Sequence, residues 1–227
     1  MDLKKHIRSI PDYPKKGILF RDITTLIKNA EAFKYTNDRI IELAKQIDFD
    51  KVAAIESRGF VFASTVSYHL NKPFILLRKK NKLPAEVHSI DFELEYGKAT
   101  IEVHKDSIEK KEKILVIDDL IATGGTAEAA AKLIEISGGK VAGFIFVINL
   151  FDLPGNNLLI KKGYKTNSLN ANDSILNFAI DRRSGQYSSV MLFENDISKD
   201  IYNYVPTGST TKSIIPGYYY AKDLTYD

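Results

Sequence analysis

Apolar runs alternate with helix-like segments along the first two thirds of the chain. Four continuously apolar segments predict buried strands, over residues 52–55, 73–77, 114–117 and 140–150. Helices are predicted over about 61–70 and 127–137, and the glycine pair Gly138-Gly139 predicts the end of the second helix. Apolar strands separated by helices are typical of a parallel sheet that is covered on both faces. The pattern therefore predicts an α/β fold with a central parallel sheet flanked by helices.

Two segments depart from this pattern. Loose alternation of apolar and polar residues over 92–96 and 99–103, around Gly97-Lys98, predicts an antiparallel hairpin that projects from the sheet. Residues 166–227 hold seven of the twelve tyrosines and carry five basic against seven acidic residues. Their apolar runs predict packing on the body or on a partner subunit. The chain is therefore divided into a domain over 1–165 and a C-terminal extension of unknown role over 166–227.

Composition narrows the classes of function. The chain has 227 residues, 44% hydrophobic and 27% charged, with a formal charge of +3, as in ordinary soluble globular proteins. No long basic run points to nucleic acid, and the apolar stretch 141–150 is shorter than the roughly 20 residues that span a bilayer. No apolar signal region follows the first residues, so a cytoplasmic location is expected. The absence of cysteine excludes disulfides, thiolate metal sites and cysteine nucleophiles.

The segment from Ile114 to Thr126 carries the strongest chemical signal. A predicted strand ends in two carboxylates, and a loop of small residues with paired glycines then leads into a helix. Glycines let the backbone approach a ligand, and N–H groups at the positive end of a helix attract an anion. The loop lacks the lysine and the spacing of nucleoside triphosphate or dinucleotide loops, so a single phosphate monoester is predicted. The predicted phosphate cradle consists of Ala122, Thr123, Gly124, Gly125 and Thr126.

The two carboxylates, Asp118 and Asp119, directly precede this cradle. Ionised carboxylates only accept hydrogen bonds, so they suit vicinal hydroxyls one sugar-length away from a bound phosphate. A phosphate together with a cis-diol indicates a ribose 5-phosphate. The alternative interpretation of the acidic pair alone is a solvated turn between strand and helix.

The whole segment from Ile114 to Thr126 resembles the binding motif for 5-phosphoribosyl 1-pyrophosphate (PRPP) of type I phosphoribosyltransferases. Further blocks resemble the adenine phosphoribosyltransferase branch in the family's order, at residues 7–14, 17–24, 56–60, 78–84 and 94–97. The resemblance implies the type I phosphoribosyltransferase fold, with an N-terminal hood over about 1–30 and the hairpin as a lid. It also implies a purine-salvage glycosyltransferase that converts adenine and PRPP to AMP and pyrophosphate. Such an enzyme is expected to be a homodimer, with Mg²⁺ carried by PRPP and no direct protein ligand to the metal.

The resemblance also implies roles for individual residues. The implied PRPP and pyrophosphate contacts outside the cradle are Asp118, Asp119, Ser57, Arg58, Gly59, Arg78 and Lys82. The resemblance also implies a catalytic role for Arg58, and a reach into a neighbouring subunit's site for Arg78 and Lys82. Leu19, Phe20 and Arg21 are implied as adenine contacts in the hood. Glu95 is implied as the general acid/base and Tyr96 as a lid residue. Considered without the resemblance, Glu95 would be an outward-facing strand residue and Arg21 a surface arginine beside Asp22.

Asn81 stands where family members usually have glycine. Asparagine tolerates a positive φ better than most residues, so the loop geometry is expected to survive this change.

Two other functions remain open at this stage. One is a phosphoribosyltransferase for hypoxanthine, guanine or xanthine, since the base pocket is the site least readable from sequence. The other is a regulator that senses PRPP without catalysis, which should carry a basic DNA-binding unit. Intact Arg58 and Glu95, and an extension with net negative charge, favour an enzyme.

Overall fold

The computed structural model describes residues 1–94, 97–150 and 153–168. Its first part is a short 3-10 helix, Leu3–His6, followed by a two-stranded antiparallel sheet of β1 (Arg8–Pro11) and β2 (Leu19–Asp22). Helix α1 (Thr24–Ile27) leads into α2 (Ala30–Ala44), whose first turn is capped by the Asn29 side chain accepting from Ala32 N–H at 2.9 Å. The small sheet lies within the segment predicted as the hood, about residues 1–30.

The main sheet has seven strands in the order β5-β6-β4-β3-β7-β8-β9. Their bounds are β3 Lys51–Ile55, β4 Phe74–Lys79, β5 Val87–Leu94, β6 Gly97–His104, β7 Lys113–Ile121, β8 Lys140–Asn149 and β9 Thr166–Ser168. The five strands β4, β3, β7, β8 and β9 run parallel, while the hairpin β5–β6 joins β4, the outermost of these parallel strands, in antiparallel orientation. The predicted α/β fold, with a parallel centre and a hairpin at one edge, is confirmed.

Helices cover both faces of this sheet. Helix α3 (Arg58–Leu70) and helix α2 pack on one face, α4 (Gly125–Ile136) packs on the other, and α5 (Gly155–Lys161) follows β8. Along β7, Leu115 and Ile117 join the core beneath α2 and α3, whereas Ile114 and Val116 join the core beneath α4. Strands buried on both faces explain why the sequence shows continuous apolar runs without alternation.

Two predicted helix boundaries were too late in the chain. Helix α3 begins at Arg58, because Gly59 packs directly against β7 within the first helical turn and does not form a separate turn. Helix α4 begins at Gly125, two residues before the predicted start. It ends at Ile136, and the predicted glycine stop is confirmed by Gly138 with φ +92°.

Strand boundaries also differ from the prediction, most relevantly for the site in β7 and β6. Strand β7 does not end before the acidic pair but continues to Ile121, because its pairing with β8 extends to Asn149. Strand β6 begins at Gly97, which pairs with Leu94, so Gly97 and Lys98 belong to the strand and not to the turn.

The predicted extension has its first three residues in the described part. Thr166–Ser168 forms β9 and pairs with β8. The predicted packing of the remainder concerns residues 169–227, which lie outside the described residues. None of the described helices has the length and apolar character needed to cross a membrane.

Candidate active site

A cavity of about 240 Å³ opens at the carboxyl ends of the neighbouring strands β3 and β7. It is lined by residues 55–58 and 118–124, together with Thr126 and Ala127. Parallel strands end at the same edge of a sheet, so two segments that are distant in sequence form one wall. The acidic pair, Ser57, Arg58 and most of the predicted phosphate cradle are therefore brought together.

The cradle is the loop between β7 and α4. Gly124 precedes the helix with φ +90°, a left-handed conformation that favours glycine, and no side chain caps the first turn of α4. The first N–H groups of a helix have no partner within the helix, so they remain available to an anion. Ala122, Thr123, Gly124 and Thr126 line the cavity, whereas Gly125 is the first helical residue and is not part of the lining.

Gly155 supports the cradle from behind and was missed in the sequence analysis. Its N–H donates to the carbonyl oxygen of Ala122 at 3.0 Å. A Cβ at this position would lie 2.4 Å from that oxygen and 2.6 Å from the backbone nitrogen of Gly124. The Pro154-Gly155 pair was a detectable signal for a chain turn, but its contact with the cradle depends on the return of the chain after β8.

The acidic pair lies where β7 reaches the cavity. Asp118 is half-buried and accepts a hydrogen bond from Asp119 N–H at 2.8 Å, while Asp119 is only 3% exposed. Burial raises the pKa of Asp118 well above its usual value, and the neighbouring charge of Asp119 raises it further. Burial also raises the pKa of Asp119, against the opposing effect of Arg58. Two negative charges are therefore costly in the free site, and a ligand that donates hydrogen bonds would stabilise them.

Arg58 connects the acidic pair to the hood. Its Nε lies 2.9 Å from Asp119 Oδ2, although that oxygen has no aligned hydrogen-bond donor among the described residues. Its guanidinium carbon lies 5.5 Å from the ring centroid of Phe20. Gly59 follows and faces β7, since a Cβ there would lie 2.8 Å from Asp118 Oδ1. Gly59 is outside the cavity lining, and its small size instead lets α3 approach the acidic strand.

The three hood residues occupy different environments. Leu19 and Phe20 are half-buried, and the ring of Phe20 lies beside the Arg58 guanidinium. Arg21 is 3% exposed and donates through Nη1 to Ser9 Oγ, and burial lowers its pKa to about 10. The interpretation of Arg21 as a surface arginine beside Asp22 is therefore wrong.

Asp22 pairs with a different arginine. Its carboxylate accepts from Arg8 and from Thr24 N–H. Burial acts to raise the pKa of Asp22, but these hydrogen bonds outweigh it and lower the pKa to about 2. Asp22 thus helps to fasten the hood, and both Asp22 and Arg21 are buried there.

The cationic loop, residues 79–82, lies outside the cavity lining. The preceding residue, Arg78, donates from Nε and Nη2 to the Glu56 carboxylate at 3.2 and 3.4 Å, and from Nη1 to the Lys82 carbonyl at 3.0 Å. Burial acts to raise the pKa of Glu56, but hydrogen bonds from Arg78 and Lys79 N–H hold it below its usual value. Asn81 has φ +63°, the left-handed conformation that asparagine adopts more readily than most residues.

Two predicted site residues, Glu95 and Tyr96, lie outside the described residues. The lid and acid/base roles implied for them stay predictions. The Glu56–Ser57 peptide bond, at the cavity wall, is cis.

A family model described as "Phosphoribosyl transferase domain" matches residues 27–177. The chain belongs to the phosphoribosyltransferase family. An adenine phosphoribosyltransferase of Pelagibacter ubique is 72% identical over 169 residues, which cover 74% of this chain and 97% of that protein. One from Chlorobium phaeobacteroides is 51% identical over 171 residues, covering 74% of this chain and 97% of that protein.

Solved structures give the same result for the fold. The adenine phosphoribosyltransferase of Thermoanaerobacter pseudethanolicus is 45% identical with a TM-score of 0.71, and the match covers 74% of this chain and 96% of that one. The Saccharomyces cerevisiae enzyme, whose structure contains adenine, is 32% identical with a TM-score of 0.68, covering 74% of this chain and 96% of that one. The family model ends at residue 177, so it leaves out residues 178–227.

Proposed function

We propose that this chain is an adenine phosphoribosyltransferase, which converts adenine and PRPP to AMP and pyrophosphate. The observation that carries the proposal is the shared cavity. It joins the acidic pair, Arg58 and an uncapped helix start in a chain that is 72% identical to an adenine phosphoribosyltransferase. A phosphate, a ribose diol and a leaving pyrophosphate each need one of these three groups.

The cradle and the acidic pair together suit a ribose 5-phosphate. The free N–H groups at the start of α4 would bind the 5′-phosphate, with hydroxyl donors from Thr123 and Thr126. Asp119 Oδ2 is buried without an aligned donor among the described residues, so a ribose hydroxyl would satisfy it. Asp118 would accept from the second hydroxyl. These contacts hold C1′ of the ribose at a constant place relative to the hood.

Catalysis then rests on position and charge. N9 of adenine forms a bond to C1′ as the bond from C1′ to the pyrophosphate oxygen breaks, and the electron pair leaves with pyrophosphate. Arg58 faces the cavity and would stabilise the charge that develops on the leaving group. The proton lost from the purine goes to Glu95 in this proposal, and Tyr96 helps to close the site. Phe20, beside Arg58, supports an adenine site under the hood residues Leu19 to Arg21.

Mg²⁺ is proposed to be bound to PRPP. Asp118 and Asp119 offer oxygen donors, which this ion prefers, but Asp119 already lies beside Arg58. This donor set fits a weak or water-mediated contact better than a metal site made by the protein alone. When bound, the ion would neutralise charge on the phosphate oxygens.

A homodimer is proposed on the basis of two exposed apolar side chains on neighbouring elements, which together define the candidate surface. Tyr68 on α3 is 90% exposed and Leu76 on β4 is 39% exposed. The two elements are in contact through the edge-to-face rings of Phe60 and Phe74, 5.9 Å apart. Arg78 shares the face of β4 that carries Leu76, because side chains two residues apart point the same way. A second copy of the chain on this surface would come close to Arg78, which leads into the cationic loop.

The test of the dimer is sedimentation velocity on Leu76→Asp, with Ile136→Asp as a matched control, since Ile136 is also exposed but lies on α4. We expect Leu76→Asp alone to give a monomer. A dimer that persists in Leu76→Asp would contradict this surface.

A cytoplasmic location stays a prediction.

The test of the reaction is pyrophosphate release from PRPP and Mg²⁺, with adenine, hypoxanthine, guanine and xanthine supplied separately. We expect release with adenine alone. Release with another purine would retain the mechanism and change the base. Absence of release with any base, alongside measurable PRPP binding, would contradict the enzyme and favour a sensor.

A further inference from the structure

Glu102 is a buried carboxylate that the proposed mechanism does not use. It lies on β6, is 4% exposed, and stands opposite Arg78 on β4 and opposite Ser89 on β5. Residues directly opposite in antiparallel pairs point to the same face, so the three side chains form one row. Burial of a carboxylate is costly unless its oxygens accept hydrogen bonds. The partners of Glu102 therefore indicate what the buried charge stabilises.

Those partners belong to the cationic loop and to the hairpin. Glu102 Oε2 accepts from the backbone N–H of Asn81 at 2.9 Å, and Oε1 accepts from the Ser89 hydroxyl at 3.4 Å. The bond to Asn81 is made at the residue with φ +63°, where the loop reverses direction. A charged acceptor gives a stronger hydrogen bond than a neutral one, so this contact holds the loop at its turning point.

A second carboxylate holds the beginning of the same loop. Glu56 Oε2 accepts from Lys79 N–H at 3.1 Å as well as from Arg78 Nε at 3.2 Å. Glu56 also lines the cavity and directly precedes Ser57 and Arg58. The loop is thus connected to the cavity wall at its beginning and to the hairpin at its middle.

Both carboxylates accept hydrogen bonds from backbone N–H groups of the loop and not from its lysine side chains. Among the described residues, neither Glu56 nor Glu102 accepts a hydrogen bond from the ammonium group of Lys79, Lys80 or Lys82. The loop can therefore have a defined backbone while its ammonium charges remain available to a polyanion. That combination suits a phosphate-rich ligand, which binds best to ammonium groups that are correctly positioned but not already paired with Glu56 or Glu102.

We propose that Glu102 is a positioning residue that, together with Glu56, holds the backbone of residues 79–82 so that its lysines face pyrophosphate. The proposal deepens the proposed function and rests on it. It assigns to the hairpin a second role besides that of a lid, because β6 supplies the carboxylate. The expected signature is a defect confined to PRPP and pyrophosphate.

The experiment compares Glu102→Leu, Glu102→Gln and the control Glu86→Gln in the full chain. Glu86 is a suitable control because it directly precedes β5 of the same hairpin but its carboxylate pairs with Lys105 in an exposed position. The KM values for PRPP, adenine and, in the reverse reaction, pyrophosphate are measured for each variant. For Glu102→Leu we expect KM for PRPP and for pyrophosphate to rise roughly tenfold or more, at an unchanged KM for adenine. Glu102→Gln keeps a neutral acceptor and should show a smaller rise, about threefold.

Hydrogen exchange at the Asn81 amide gives a readout that does not depend on turnover. Exchange should become faster in Glu102→Leu and, to a lesser extent, in Glu102→Gln, and stay unchanged in Glu86→Gln. If Glu102→Leu does not fold, Glu102→Gln carries the test at smaller amplitude. Equal effects on all three KM values, or unchanged exchange at Asn81, would overturn the proposal. If the unaltered chain releases no pyrophosphate, the proposed function fails separately, and the exchange result still decides whether Glu102 holds the loop.

Discussion

Gly155→Ala tests whether the contact behind the phosphate cradle determines its shape. The added Cβ would lie 2.4 Å from Ala122 O, 2.6 Å from Gly124 N and 2.9 Å from Ile121 Cγ1. Two of these three atoms belong to the backbone, so a side-chain rotation cannot relieve the contacts. To restore an ordinary distance of about 3.4 Å, the cradle or the start of α5 must move by about 1 Å.

The two effects of the alanine have opposite signs. Alanine in the first turn of α5 favours the helix by up to about 1 kcal/mol, whereas overpacking costs about 1–3 kcal/mol. We expect a net loss of about 1–2 kcal/mol in the free energy of unfolding, or roughly 2–8 °C in Tm. A shift of about 1 Å at a substrate-binding group can cost up to about 100-fold in rate. We therefore expect kcat/KM for PRPP to fall by about 10- to 100-fold.

The assays are calorimetry and steady-state pyrophosphate release at varied PRPP. Asn157→Ala is the matched control, because Asn157 is exposed in the same short helix and gains a comparable, somewhat smaller, helix preference from alanine. If Gly155→Ala matches Asn157→Ala in both Tm and kcat/KM, the reasoning is refuted. A loss of Tm with unchanged kcat/KM would show that α5 moves and the cradle does not.

Three further predictions concern the acidic pair and the cationic loop. Burial raises the pKa of Asp118 above 3.8, so the stability of the folded state falls as the pH rises from that value through the raised pKa. Asp118→Asn should therefore have a higher Tm than the unaltered chain near neutral pH, a difference that closes below about pH 4, and a lower kcat/KM for PRPP. Equal Tm values near neutral pH would contradict this prediction. Arg58→Lys loses the planar group between Phe20 and Asp119 and should lower kcat/KM by roughly tenfold or more in kinetic assays. Tm should change little, since the Arg58 side chain is 42% exposed. Full activity of this variant would count against a role of Arg58 in stabilising the leaving group. Asn81→Gly should leave the free energy of unfolding unchanged, whereas Asn81→Ala should lower it by about 1 kcal/mol because residue 81 has φ +63°. Chemical unfolding measures both values. Equal stabilities of the two variants would rule out a strained backbone at this position.

The local pattern was sufficient for β3, β4, β7 and β8, for α3 and α4, and for locating the loop that is proposed as the phosphate cradle, whereas α2 and α5 were not predicted. Continuously apolar runs such as 114–117 predict strands covered on both faces, and the string from Asp118 to Thr126 predicts a phosphate and ribose site. These features depend on neighbouring residues, so a linear pattern contains them. The boundaries were less accurate, as with β7, which continues to Ile121 because its partner strand β8 extends that far. Pairing between strands is not visible in one segment.

The sequence by itself determined the fold class, the acidic pair and the cradle, because each depends on a contiguous stretch of chain. Tertiary structure alone decided which distant residues support them. Gly155 meets Ala122 only after the chain has passed through α4 and β8, and Glu102 meets Asn81 only because β6 pairs with β4. The contact of the buried Arg21 is of the same kind, since the pairing of β1 with β2 brings Ser9 opposite Arg21. Contacts between residues far apart in sequence are set by packing and strand register, and the physical chemistry of a single segment cannot specify them.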